Sequence, residues 1–179
     1  MFLPEHIKHA WKKYQSLWRY ERLPAKHFLL KEGAICRKVC VIEKGSVRSW
    51  LNHDGREICF QFFFEGDVVY APESFRKQIP GQYNIETMEP VEARWLGPAE
   101  MELVKKEQVL YHYMLEKSAD LQADFMRHFF SYLKNTPRER YEYLLQNHPE
   151  IIQRVPLQYI ASYLGITAVS LSRIRKRCL

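Results

Sequence analysis

The sequence predicts an α+β chain: an antiparallel β-barrel or sandwich first, then a long helix, then a C-terminal helix-turn-helix. Three observations predict it. Residues 26–97 are short β-prone runs punctuated by Glu-Gly, Lys-Gly, Asp-Gly and Pro-Gly pairs, with no helix-length pattern between them. Residues 98–134 return to a helical period, and no proline follows Pro98 until Pro137. Residues 155–177 join two short amphipathic patterns across Gly165.

Composition sets the bounds. The chain has 179 residues, 46% of them hydrophobic and 27% charged, which supports a packed core and excludes disorder as the dominant state. No apolar run nears the roughly 18 residues a membrane span needs. The densest, residues 58–64, is interrupted by Gln61. Pro4, Glu5 and His6 stand where a signal peptide would carry its apolar region, so the expected compartment is the cytoplasm, with no membrane partner. Cys36, Cys40, Cys59 and Cys178 form no Cys-x-x-Cys pair. The net charge is +6, and residues 134–179 hold eight basic side chains against three acidic, so five of the six excess charges lie there. A basic end this localised suggests an anionic partner, nucleic acid ahead of a membrane surface.

Each element follows from its pattern. Ile7, Ala10, Trp11, Tyr14, Leu17 and Trp18 recur at spacings of three and four, which predicts a helix over 5–20 between Pro4 and Pro24. His53, Asp54, Gly55 and Arg56 between two β-prone runs give the clearest hairpin signal. Met101 and Val104 fit a short first turn. A long helix then carries Val109, Tyr111, Met114, Leu115, Leu121, Phe125, Phe129, Tyr132 and Leu133. Its apolar face must pack on the barrel, on a partner chain, or on both. Thr136 is placed to cap the next helix, with Pro137 at its first position and Glu139 closing a capping box.

In the C-terminal segment, Leu157, Ile160, Ala161 and Leu164 make the apolar face of a short helix. Gly165 breaks it, Ile166 is expected as a buried plug, and Thr167 caps a second helix. That second helix buries Leu171 and Ile174 and leaves Ala168, Val169, Ser170, Ser172, Arg173, Arg175, Lys176 and Arg177 on its other faces. The plainer alternative is a pair of helices capping a core and ending in a charged, solubilising tail.

The run FLLKEGAICRKVCVIEKGSVRSWLNHDGREICFQFFFEGDVV, with Gly33, Gly45, Gly55, Arg56, Glu57, Gly66 and Asp67 in order, is followed by PLQYIASYLGITAVSLSRIRKR. Together they resemble the Crp/Fnr family of bacterial transcription regulators, in its short Bacteroidetes-type form. The resemblance implies a cyclic-nucleotide-binding-like, cupin-like barrel or jelly roll over 1–106 and a dimerisation helix over 107–134. It implies a helix-turn-helix of winged-helix type over 135–179, with the wing reduced or absent. The implied protein is a homodimeric, sequence-specific DNA-binding regulator and not an enzyme. Its partners are double-stranded DNA, a second copy of the chain, an unidentified small-molecule effector and RNA polymerase.

Residue by residue, Thr167 matches a cap that can touch phosphate. Ala168 and Val169 fall where many relatives hold base-reading Arg and Glu, which points to thymine methyls instead. Ser170 and Arg173 are the polar readers, with Arg173 expected on a base; Ser172, Arg175, Lys176 and Arg177 are expected mainly on phosphates. Arg138, Arg140 and Arg154 either extend this contact or pair with Glu139, Glu142 and Glu150. Relatives that bind cyclic nucleotides carry a Gly-Glu pair and an Arg-Ser/Thr-Ala run. Here the corresponding stretch reads VVYAPESFRKQIPGQYNIE and has neither, so cyclic AMP is not the expected ligand. The effector cavity is expected at Phe62, Phe64, Tyr70, Glu73, Phe75 and Tyr83, taking an apolar or amphipathic ligand or filled by its own side chains. No cysteine or histidine grouping has metal or cluster spacing, and neither a cofactor nor a metal is expected. A cupin-type metalloenzyme is disfavoured because its barrel would have only His27 and His53, 26 residues apart. The alternative to a regulator is a ligand- or protein-binding module of cupin-like fold with no DNA-binding role.

Overall fold

A computed structural model describes residues 5–178. Helix α1 (Glu5–Tyr14) and a 3-10 turn (Gln15–Leu17) lead into β1 (Arg19–Leu23), β2 (Phe28–Leu30), β3 (Val39–Lys44), β4 (Val47–His53), β5 (Arg56–Phe63) and β6 (Val68–Val69). Helix α2 (Pro72–Lys77), β7 (Asn84–Thr87) and β8 (Val91–Leu96) follow, then α3 (Pro98–Val104) and the long α4 (Gln108–Lys134). The chain closes with α5 (Pro137–Asn147), α6 (Pro149–Arg154), α7 (Leu157–Tyr163) and α8 (Ala168–Cys178). The strands form two four-stranded sheets, ordered β1-β8-β3-β6 and β2-β7-β4-β5. The expected barrel is thus a pair of sheets within an α+β chain. The chain divides into two compact units, one of residues up to 49 with 62–122, the other of 50–61 with 123 onward.

In the first unit, β3 is buried on both faces, and its alternation shows why the sequence there is a continuous apolar run. Val39 and Val41 enter one core cluster with Ile7, Trp18, Val68, Leu96, Met101, Leu110 and Met114. Cys40 and Ile42 enter the other, with Leu30, Val47, Phe63, Val69, Ile85 and Val91. One ion pair is buried in the second sheet, where Arg48 Nε and Nη2 donate to Glu86 Oε2 at 3.0 and 2.5 Å. Three cysteines (Cys36, Cys40 and Cys59) are buried free thiols, Cys178 is half-buried, and burial pushes the Cys40 thiol up to about 12.

Two expectations in this unit are corrected. The helix expected over 5–20 ends at Tyr14, because Arg19–Leu23 pairs antiparallel with β8, from Arg19 opposite Trp95 to Leu23 opposite Val91. Trp18 keeps its inward position and stacks at a tilt on Trp11, 4.7 Å between ring centroids, so the helical spacing of the two rings survives the end of the helix. The stretch after β6 holds a helix as well as strands: Pro72 opens α2 at its first position and Gln78 ends it at φ +54. The hairpin forms where expected. Asp54 and Gly55 both have positive φ, as a two-residue turn of type I′ requires, and Asn52 Oδ1 accepts from the Gly55 amide at 3.0 Å.

In the second unit, Thr136 and Glu139 close the capping box. Thr136 Oγ1 accepts from the Glu139 amide at 3.3 Å, and the Glu139 carboxylate accepts from the Thr136 amide at 2.7 Å. The Thr136 amide, and then its hydroxyl, which also donates to the carboxylate at 2.9 Å, hold the Glu139 carboxyl below its ordinary value. The buried apolar side chains of this unit include Tyr141, Leu144, Ile151, Val155, Ile160, Ala161, Tyr163, Leu164 and Leu171. Ile166 is half-exposed, not buried, and Ile174 is likewise half-buried.

Candidate nucleic-acid interface

Helix α8 owes its start to Thr167, whose Oγ1 accepts from the Ser170 amide at 3.2 Å. Leu171 is fully buried, and Ile174 and Cys178 follow it at three and seven residues, which defines the inward stripe. Val169, Ser172, Arg173 and Lys176 share the opposite stripe at the same spacings, and all four are exposed. Val169 is 62% exposed, an apolar side chain held in water near the start of a basic helix. Thr167, Ala168 and Arg177 are also exposed, while Ser170 and Arg175 are half-buried. The helix has no acidic residue, and its four cations make no salt bridge among the described residues. The expected readers are therefore brought onto one helix with their charge uncancelled.

The turn before α8 is held from outside. Gly165 has φ +67, and a Cβ there would lie 2.8 Å from Tyr132 Cε1, so both conformation and space require glycine. The Tyr132 hydroxyl donates to the Tyr163 carbonyl. Arg140 donates to the carbonyls of Asn135 and Leu164, each at 2.8 Å, and its guanidinium lies 4.5 Å from the Tyr132 ring centroid. The last carbonyls of α7, which no intrahelical donor can reach, are thus capped by α4 and α5. His128 stacks on Tyr163 at 3.5 Å and 7°. Burial pushes His128 down to about 4; a backbone contact at Tyr163 opposes this, and the charges of Arg140 and His148 add to it.

These holdfasts settle the other arginines. Arg140 is buried on carbonyls and is withdrawn from any phosphate, and Arg138 pairs with Glu142 at 2.8 Å. Arg154 is exposed. The burial of Arg140 was readable in outline, since it shares the spacing of Tyr141 and Leu144 on α5. The spacing places Tyr132 on the apolar pattern of α4, but neither its bond to Tyr163 nor the bonds of Ser162 carry such a signal, because those partners are distant in sequence.

A cleft of about 530 Å³ opens in the first unit. Its lining is apolar at Val39, Val68, Met101 and Met114, aromatic at Tyr70, Phe75 and Tyr111, and charged at Glu73, Arg76, Glu102 and Lys105. Glu73 is bound to Lys77 at 2.7 Å, which lowers its carboxyl below the usual value, and Lys105 to Glu102 at 2.5 Å. Of the six residues expected around an effector, Tyr70, Glu73 and Phe75 line this cleft and Phe62, Phe64 and Tyr83 do not. Tyr83 instead packs on the second core cluster, and its burial pushes the phenol up to about 12. Such a volume and lining suit a small amphipathic molecule. Among the described residues, no group of three or more His, Cys, Asp or Glu side chains could hold a metal. No described helix is long and apolar enough to cross a membrane.

Residues 20–107 match the family model of the cyclic nucleotide-binding domain. No curated protein matches the sequence at a significant level. Among solved structures, FixK2 from Bradyrhizobium japonicum superposes with a TM-score of 0.74 at 19% identity, covering 89% of this chain and 83% of its own. The c-di-GMP responsive global regulator CLP of Xanthomonas campestris gives 0.76 at 16%, covering 96% and 91%. A CRP-family transcriptional regulator from Thermus thermophilus gives 0.68 at 21%, covering 88% and 83%. The chain therefore has the fold of the Crp/Fnr regulators: a sheet domain of the cyclic-nucleotide-binding type followed by a helical C-terminal unit.

Proposed function

We propose that this chain is a homodimeric, sequence-specific DNA-binding transcription regulator of the Crp/Fnr family, of the short Bacteroidetes type, acting in the cytoplasm. Residues 1–106 serve as the sensor, 107–134 as the dimer helix and 135–179 as the reading head. The observation that carries this reading is the outward stripe of α8, where Val169, Ser172, Arg173 and Lys176 stand exposed beyond a glycine turn with no acidic neighbour on the helix. Set in a major groove, that stripe puts Arg173 on a base edge and Ala168 and Val169 on thymine methyls. Ser170 is the second polar reader, and Thr167, Ser172, Arg175, Lys176 and Arg177 then lie near the backbone.

A second copy of the chain is supported by α4. Leu115, Ala119 and Gln122, then Met126, Phe129 and Leu133, follow one another at alternating intervals of four and three, and all six are exposed, Leu133 at 70%. That alternation is the seam of a two-stranded coiled coil. The cleft is the effector site, with an amphipathic molecule in place of cyclic AMP. RNA polymerase is the partner of a regulator so built when it activates.

Selection from random duplexes is expected to return two half-sites about one helical turn apart, bound more weakly as salt rises. Replacing Arg173 and Arg175 together by alanine is expected to lower affinity about 100-fold, as the loss of one base contact and one phosphate contact. Unchanged affinity in that variant would remove α8 from the interface. Failure of the parent chain to bind any duplex at low salt would favour a binding module without a DNA role.

A further inference from the structure

We infer that Ser162 is a latch that ties the helix-turn-helix to the tip of the β4–β5 hairpin and so sets the orientation of α8. Strand β5 is at the edge of its sheet, with β4 as its sheet neighbour. An edge strand presents a row of N–H and C=O groups to whatever lies beside it. Glu57 and Cys59 are two residues apart, so the carbonyl of one and the amide of the other face the same side. The Ser162 hydroxyl engages both: it accepts from the Cys59 amide at 3.0 Å and donates to the Glu57 carbonyl at 2.6 Å. A hydroxyl has one donor and two acceptor positions, so this single side chain does what a neighbouring strand would do.

The location gives the contact its consequence. Ser162 is in the last turn of α7, and the three residues after it are those already held by Tyr132 and Arg140. Phe60, one residue beyond Cys59, meets Phe125 edge-on at 5.8 Å and braces the hairpin tip against α4. The end of α7 is thus fixed on one side by α4 and α5 and on the other by the hairpin. The hairpin starts at Val47 and ends at Phe63 in the first unit, while its residues 50–61 belong to the second. A change in the sheet at the hairpin's root therefore has a covalent path to Glu57 and Cys59, and from there through one hydroxyl to the turn that aims α8. Two hydrogen bonds to a neutral hydroxyl are weak enough to be broken and remade. This inference rests on the reading of α8 as the DNA-contacting helix only for its effect on DNA, not for the latch itself.

The test uses the full chain with Ser162→Ala and Ser162→Thr. Hydrogen exchange at the Cys59 amide reads the latch without DNA or effector, and residual dipolar couplings of the α8 amides read its orientation. Ser162→Ala is expected to speed Cys59 exchange about 10-fold and to change the α8 couplings relative to β5, leaving exchange at Val41 as it was; Ser162→Thr is expected to restore both. Affinity for the selected duplex is expected to shift about 3- to 10-fold in Ser162→Ala. Unchanged exchange at Cys59 overturns the latch, and faster exchange with unchanged α8 couplings overturns its orienting role. Altered exchange and couplings in a chain that binds no duplex would uphold the latch and overturn the DNA reading instead.

Discussion

The two units are held together in different ways. The first is stabilised by two apolar clusters that β3 feeds from both faces, with the buried Arg48–Glu86 ion pair in the second sheet. The second is smaller, and at the turn between α7 and α8 backbone groups decide the arrangement: Ser162 on the hairpin, Tyr132 and Arg140 on the carbonyls of α7, and Gly165 against a ring. Burial is non-directional and spreads its effect over many side chains. A carbonyl cap is directional, so one residue sets one angle. On the proposed function the second unit must present its helix at a fixed angle, whereas the first needs only to keep its shape around a cleft.

That contrast can be broken at three points. The largest effect is expected in the first unit from Leu96→Ala, which empties a fully buried site in the cluster of Val39, Val41 and Val104. It should cost about 4 kcal/mol, read by denaturant unfolding, with amides of the second unit keeping most of their protection. Next is acidification. The folded pKa of His128 lies at about 4, below its ordinary 6.5. Between those values the unfolded chain binds a proton that the folded chain does not, so stability falls as pH drops through that window. The loss is at most about 3 kcal/mol, and His128→Phe should flatten that part of the pH profile. The smallest is Gly165→Ala, expected to cost about 2 kcal/mol through positive φ and the Tyr132 contact. It should also weaken duplex binding; a fully stable, fully binding variant would show that the turn does not aim α8.

Much of the chain was legible before folding because its signals are local. The capping box of Thr136 and Glu139, the Asp54 and Gly55 turn, and Thr167 with Gly165 each act over a few residues, and each stands as the spacing implies. Where the reading failed, a distant partner intervened. Residues 19 and 20 join a strand in place of the expected helix because β8 supplies a strand edge, and α2 interrupts a run of strands at a proline that starts a helix as readily as it ends a strand. Among the expected effector residues, Phe62 and Tyr83 are aromatic, as a cavity lining would be, yet they lie outside the cleft, since composition does not tell an open wall from a filled core.

The sequence by itself determined the succession of a strand region, a long helix and two short helices about a glycine, the concentration of charge after residue 133, and the identity of the basic helix, because periodicity and capping are properties of neighbouring residues. Tertiary structure alone decided that Arg140 grips carbonyls while Arg173 faces solvent, that Tyr70 and Phe75 share a cleft with Met101 and Met114, and that Ser162 meets a strand more than a hundred residues earlier. The physical reason is the same in each case: a side chain's role depends on which backbone group or cavity is brought within about 3–4 Å of it, and residue spacing carries no record of that distance.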